Sequence, residues 1–113
     1  MGHIDEVIDG LAAAERRSVC RFLLSRDDGT ATVEELVVHV ATETRAEGDP
    51  SVGDQSYRRA VAIALRHRHL PTLSEADLVE YDPDHPVVEA GPSLPDAEPI
   101  LRVAEKRDTV VPA

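Results

Sequence analysis

From Gln55 to Leu73 the chain carries no Asp or Glu, although it has twenty-two of them elsewhere. Arg58, Arg59, Arg66 and Arg68 stand in that stretch, with Gln55 and Ser56 at its start and His69 near its end. These side chains suit recognition of a polyanion. A guanidinium grips a phosphate as a planar fork or guanine O6 and N7 bidentately, and a Gln carboxamide pairs with adenine. At 100° per residue, Arg58, Ala62, Arg66 and His69 share one sector of a helix, with Arg59 beside them and small Ala62 leaving room for close approach. The bland alternative is a solvated basic face, salt-bridged to carboxylates nearby.

Other chemistries find little footing. His67 and His69, with Cys20 and His39 elsewhere, suggest zinc, but no CxxC spacing supports it and i, i+2 side chains on a helix diverge. No metal or other cofactor is expected, and His69 is equally a capping or packing residue beside Pro71. The chain lacks a GxSxG, a phosphate-binding Walker loop, an HExxH and a Gly-rich dinucleotide turn. Glu34 and Glu35 are adjacent, so they point apart on a helix and make no catalytic dyad. Catalysis is not expected.

A net charge of −10 argues against a nucleic-acid partner. The way that charge is built supplies an answer: eleven Arg and a single Lys, Lys106, face eleven Asp and eleven Glu. Such a Lys-poor, carboxylate-rich composition resembles that of proteins working in concentrated salt, where a Debye length of about 3 Å near 1 M would mute distant carboxylates. Local charge then outweighs net charge. A generic acidic domain from a low-salt setting is the alternative.

The elements that must position the arginines follow from periodicity in 113 residues, enough for one small core packed by aliphatic side chains. Residues 4–10 form a short helix ended at Gly10, and residues 12–25 a firmer one with Val19, Phe22 and Leu23 inward and Arg17, Ser18, Arg21 and Ser25 outward. Asp27, Asp28 and Gly29 turn the chain, and Thr30 and Ala31 make a short edge strand. Thr32 and Glu35 form a capping box for a helix whose Val33, Leu36, Val37, Val40 and Ala41 repeat at i, i+3, i+4, i+7, i+8. After a polar loop at 46–54, Asp54 caps the arginine-bearing helix, which buries Tyr57, Ala60, Val61, Ala64 and Leu65 and kinks or ends near Pro71. Leu78 to Asp82 and Val87 to Ala90 make a hairpin across Pro83 to Pro86. From Gly91 onward, Pro-rich composition predicts a linker or loosely held tail, with a short amphipathic helix around Ile100, Leu101, Val103 and Ala104.

The lone Cys20, in an apolar run, is expected to be a buried structural thiol in a reducing compartment. The acidic start lacks a signal-peptide core, and no apolar stretch approaches the roughly 20 residues that span a bilayer. A cytoplasmic protein without membrane contact is expected.

Helix, short strand, two helices and a hairpin is the order of a winged helix-turn-helix domain. The wording "ERRSVCRFLLSRDDG", "VEELVVHVATET" and "YRRAVAIALRHRHLPTLSEADLVEYDPDH" resembles a haloarchaeal family of winged-helix domains of unknown function, over roughly residues 4–90. His69, Leu70, Pro71 and Leu73, with Val79 to Asp82, carry the most specific part of that resemblance; Asp77 stands where many relatives have Gly, and a left-handed turn there suits either residue.

The resemblance implies an α+β, winged helix-turn-helix fold, with three main helices and a small antiparallel β-hairpin wing in residues 1–90, followed by the tail at 91–113. It also implies a role in transcription. Gln55, Ser56, Arg58 and Arg59 would then meet bases of double-stranded DNA, with Arg66 and His69 toward the backbone. Asp82 and Asp84 in the wing, and Glu47, Asp49 and Asp54 before the helix, repel phosphate. A homodimer reading two half-sites would strengthen binding, and residues 100–104 are its candidate contact, against packing on their own domain or disorder. The alternative function is a winged-helix protein-interaction module without direct DNA binding.

Overall fold

The computed structural model describes residues 2–44 and 55–108. Helix α1 (Gly2–Gly10) buries Val7 and hands over through a turn to α2 (Ala14–Ser25), which buries Val19, Cys20 and Leu23. Ser18, expected on the outer face of α2, is instead 1% exposed and donates its hydroxyl to Glu43 Oε1 at 2.9 Å. The inward face of α2 is wider than its apolar residues suggest, because α3 packs along it. Asp28 Oδ1 accepts the Thr30 N–H at 3.0 Å, and Gly29 supplies a positive φ of 65°, so the chain reverses tightly. Strand β1 (Thr30–Thr32) follows at once.

Thr32 and Glu35 close the capping box. The Glu35 N–H donates to Thr32 Oγ1 at 3.0 Å, and the Thr32 N–H donates to Glu35 Oε1 at 2.8 Å. Helix α3 (Val33–Thr44) then buries Val33, Leu36, Val37, Val40 and Ala41, the five residues its periodicity singles out.

A kink or an end is expected near Pro71, and helix α4 (Gln55–Ala64) does not end there. It runs through a π-helical turn (Leu65–His69) into α5 (Leu70–Glu75). A proline ring collides with the carbonyl four residues earlier, and a π-turn widens the ladder where that collision would fall. The Leu70 N–H donates to the Leu65 carbonyl across five residues. One inserted residue also rotates all that follows by about 100° relative to an uninterrupted α-helix. That rotation carries Leu70 and Leu73 into the core, where both are 0% exposed. The inward stripe of α4 itself is shallower than expected: Tyr57, Val61 and Ala64 are half-buried and Ala60 is exposed, with full burial beginning at Leu65.

Asp77 adopts φ 60° and ends α5 in a Schellman arrangement, the Leu78 N–H reaching the Leu73 carbonyl at 3.0 Å and the Asp77 N–H the Ser74 carbonyl at 3.1 Å. Strands β2 (Val79–Glu80) and β3 (Val87–Ala90) form the hairpin, β2 being shorter than the expected 78–82. β3 also pairs with β1, placing Ala31 opposite Val88, so the antiparallel sheet has the order β1-β3-β2. The class is α+β, with helices packed on one small three-stranded sheet, and its element order is compatible with a winged-helix arrangement.

The chain after Gly91 is not a loose tail over the described residues. The Gly91 N–H donates to the Leu78 carbonyl and the Ser93 N–H to the Asp77 carbonyl, each at 2.9 Å. Helix α6 (Leu94–Asp108) then buries Leu94, Ala97 and Leu101 against α1 and α2. Pro95 sits in its first turn, where an N–H has no intrahelical partner, so proline content there marks a helix start rather than a linker. The hydrophobic core continues through Leu101, past the boundary expected at residue 90.

Candidate functional site

Side-chain exposure along α4 defines its outward face. Gln55, Ser56, Arg58, Arg59 and Ile63 are exposed, and beyond Ala64 so are Arg66, His67 and Arg68. The centre of this face is Arg59 and Ile63 rather than Ala62, which is half-buried and packs against the core. Among the described residues, Arg58, Arg59, Arg66 and Arg68 form no ion pair, whereas Arg26 pairs with Glu35 at 3.3 Å and Arg102 with Glu98 at 2.6 Å. Helix α6, which holds residues 100–104, lies against α1 and α2 of its own domain. Asp54, Glu47 and Asp49 lie outside the described residues.

His69 does not belong to this face. It is 4% exposed, turned inward by the π-turn that precedes it. Arg16 Nη1 lies 3.1 Å from its Nδ1, while Arg16 Nε donates to the Gly10 carbonyl at 2.7 Å. Burial holds the His69 pKa below its usual value; Glu15 pulls the other way, and Arg16 and Arg68 add to the depression. A cavity of about 170 Å³ beside it is lined by Val40, Tyr57, Val61 and Leu65 among others. At its edge the Thr44 hydroxyl donates to the Val40 carbonyl at 2.7 Å, which leaves the Tyr57 hydroxyl to donate to Thr44 Oγ1 at 3.3 Å.

The hairpin is acidic. Glu80 and Glu89 are register partners on β2 and β3, and exposed Asp82 and Asp84 occupy the loop between them. Asp82 Oδ1 accepts the Asp84 N–H at 2.9 Å, and His85 Nε2 lies 3.8 Å from Asp82 Oδ2.

The structure separates the residues that suggested zinc. Cys20 is 0% exposed, its thiol pushed up to about 12 by burial. His39 stacks on Phe22 with ring centroids 4.6 Å apart, His67 is exposed and His69 faces Arg16. No group of three His, Cys, Asp or Glu suited to a metal occurs among the described residues. Among the described residues, no helix is long and apolar enough to cross a membrane.

Two contributors escape sequence reasoning. Ile63 had a legible signal, an apolar residue in the outward sector of a basic helix, where it needs a reason to be exposed. The Arg16 contact had none, since fifty-three residues separate it from His69.

No curated protein and no solved structure matches the chain. A family model does match it, over residues 8–89, from within α1 to within β3 and so short of α6. On that match, the chain belongs to the family described as a domain of unknown function (DUF7344).

Proposed function

We propose that this chain is a DNA-binding winged-helix protein, a transcriptional regulator adapted to high salt, with α4 as the helix that enters the major groove. The observation that carries this reading is the exposed, carboxylate-free face of α4 and the π-turn after it, whose four arginines have no ion-pair partner among the described residues. The order α2, β1, α3, α4 continued through the π-turn into α5, then β2 and β3, supports it, since the second helix of a helix-turn-helix meets base edges with its N-terminal half. Arg58 and Arg59 would take guanine or phosphate, Gln55 adenine and Ile63 a thymine methyl, with Arg66 and Arg68 on the backbone. The acidic hairpin is held off the phosphates, so α4 makes the contact without the wing.

Four phosphate contacts imply a loss of roughly 10³ to 10⁴ in affinity per tenfold rise in salt, which a second copy on an adjacent half-site would offset. The test is duplex binding across a KCl series, comparing wild type with an Arg58→Ala, Arg59→Ala, Arg66→Ala variant. Salt-dependent binding that the variant loses supports the reading; equal binding, or none at any salt, rejects it.

A second reading keeps the fold and replaces the duplex by an acidic protein. Ile63 favours it, because it is 54% exposed at the centre of the basic face, as an apolar anchor ringed by charge would be.

A further inference from the structure

On another side of the molecule, α2 and α3 leave an open groove of about 540 Å³. Val38, 48% exposed, is the open apolar part of its floor; the Phe22 ring beside it is stacked by His39 and lies under the Arg26 guanidinium, and Glu34 and Glu35 stand at the edge. Glu35 is engaged by Arg26 and by the Thr32 N–H, whereas Glu34 has no ion-pair partner among the described residues. The groove thus offers an apolar seat beside a free carboxylate. The outward face of α4 is its complement. Ile63 projects from it, with Arg59 one turn before and His67 one turn after.

A helix cannot fill the groove of its own chain. Val40 and Thr44 of α3 face α4 across the small cavity, while Glu34, Val38 and Thr42 lie on a different side of α3 by the 100° spacing. We infer that α4 of one copy docks in the α2–α3 groove of a second copy, Ile63 seating on Val38 beside Phe22 and the arginines meeting Glu34. The two surfaces differ, so the contact is head-to-tail: each copy offers one helix and one groove, and assemblies grow with concentration unless a ring closes. Because the docked helix is the one proposed to read DNA, self-association would sequester it. The contact itself does not depend on that reading.

The two surfaces are separable by mutation. Ile63→Asp spoils the helix and keeps the groove; Val38→Asp spoils the groove and keeps the helix. Both residues are exposed, so each variant should melt like wild type, and Ile63→Ser and Val38→Ser serve where Asp lowers the melting temperature. The experiment is sedimentation of the full chain without nucleic acid, at moderate salt and from micromolar to millimolar protein. Wild type should gain mass with concentration, each variant alone should remain monomeric, and a mixture of the two should form one-to-one pairs and nothing larger. A wild type that stays monomeric, variants that associate as wild type does, or a mixture that fails to pair overturns the inference. Failure here leaves duplex binding untouched, and loss of duplex binding leaves this result untouched.

Discussion

Arg16 Nη1 lies 3.1 Å from His69 Nδ1, and because a guanidinium only donates, the ring nitrogen must accept. The same Arg16 holds the Gly10 carbonyl, so one side chain ties the end of α1 to the π-turn that sets the direction of α4 and α5.

This contact predicts a pH dependence. Burial, partly opposed by Glu15 and reinforced by Arg16 and Arg68, holds His69 below its usual 6.5. A group whose folded pKa is depressed contributes stability that is fully present above the unfolded value and lost as pH falls through the folded one. Wild type should therefore keep its melting temperature from pH 8 to about 6.5 and lose it below, as protonation removes the acceptor. His69→Asn places an amide oxygen near Nδ1 and does not titrate, so its acid loss should be smaller. Parallel wild-type and variant curves would remove His69 from the explanation.

Gly91 and Asp77 make a second prediction. A Cβ on Gly91 would stand 2.3 Å from the Asp77 carbonyl oxygen, a backbone atom that cannot swing away. Gly91→Ala should destabilise by about 1–3 kcal/mol or more, read from urea unfolding. Asp77 itself sits at φ 60°, so Asp77→Gly should be neutral or stabilising by up to about 1 kcal/mol, while Asp77→Val should destabilise.

Leu101, 4% exposed and part of the core, should behave as a core residue although it lies beyond the family match. Leu101→Ala should cost about 2–5 kcal/mol in urea unfolding. Val103, 61% exposed on the same helix, should tolerate Ala almost without change. Equal, negligible effects at both positions would mean that α6 does not hold to the core in solution.

The charge of −10 predicts a salt dependence of stability, since carboxylates repel one another as screening ions are withdrawn. The melting temperature should fall between molar and millimolar KCl. A flat or rising value would contradict adaptation to concentrated salt.

What could be read from the residues follows from range. The Thr32–Glu35 box and the buried face of α3 depend on neighbours within two turns, and both were legible. Of the sector drawn from 100° spacing, Arg58 and Arg66, with Arg59 beside them, lie exposed, whereas Ala62 is half-buried. His69 was misplaced because uniform 100° steps cannot register an inserted residue. The spacing of Leu65 and Leu70, five apart on one stripe, is the mark such an insertion leaves. Ser18 was misread because its partner, Glu43, lies on another helix. The later part of α6, around Ile100 to Ala104, was legible as a short amphipathic helix, but its start was hidden by Pro95 and Pro99, whose composition imitates a linker while Leu94, Ala97 and Leu101 keep a helical spacing.

The central claim, that α4 is the surface which reads a duplex, is tested most directly by amide chemical shifts of the labelled full chain as random-sequence duplex is titrated in at moderate salt. The account predicts the largest changes from Ser56 to Ile63, smaller ones around Arg66 to Arg68, and little at Asp82, Asp84 and Glu89. Changes concentrated on the hairpin, or spread evenly with none on α4, would contradict it.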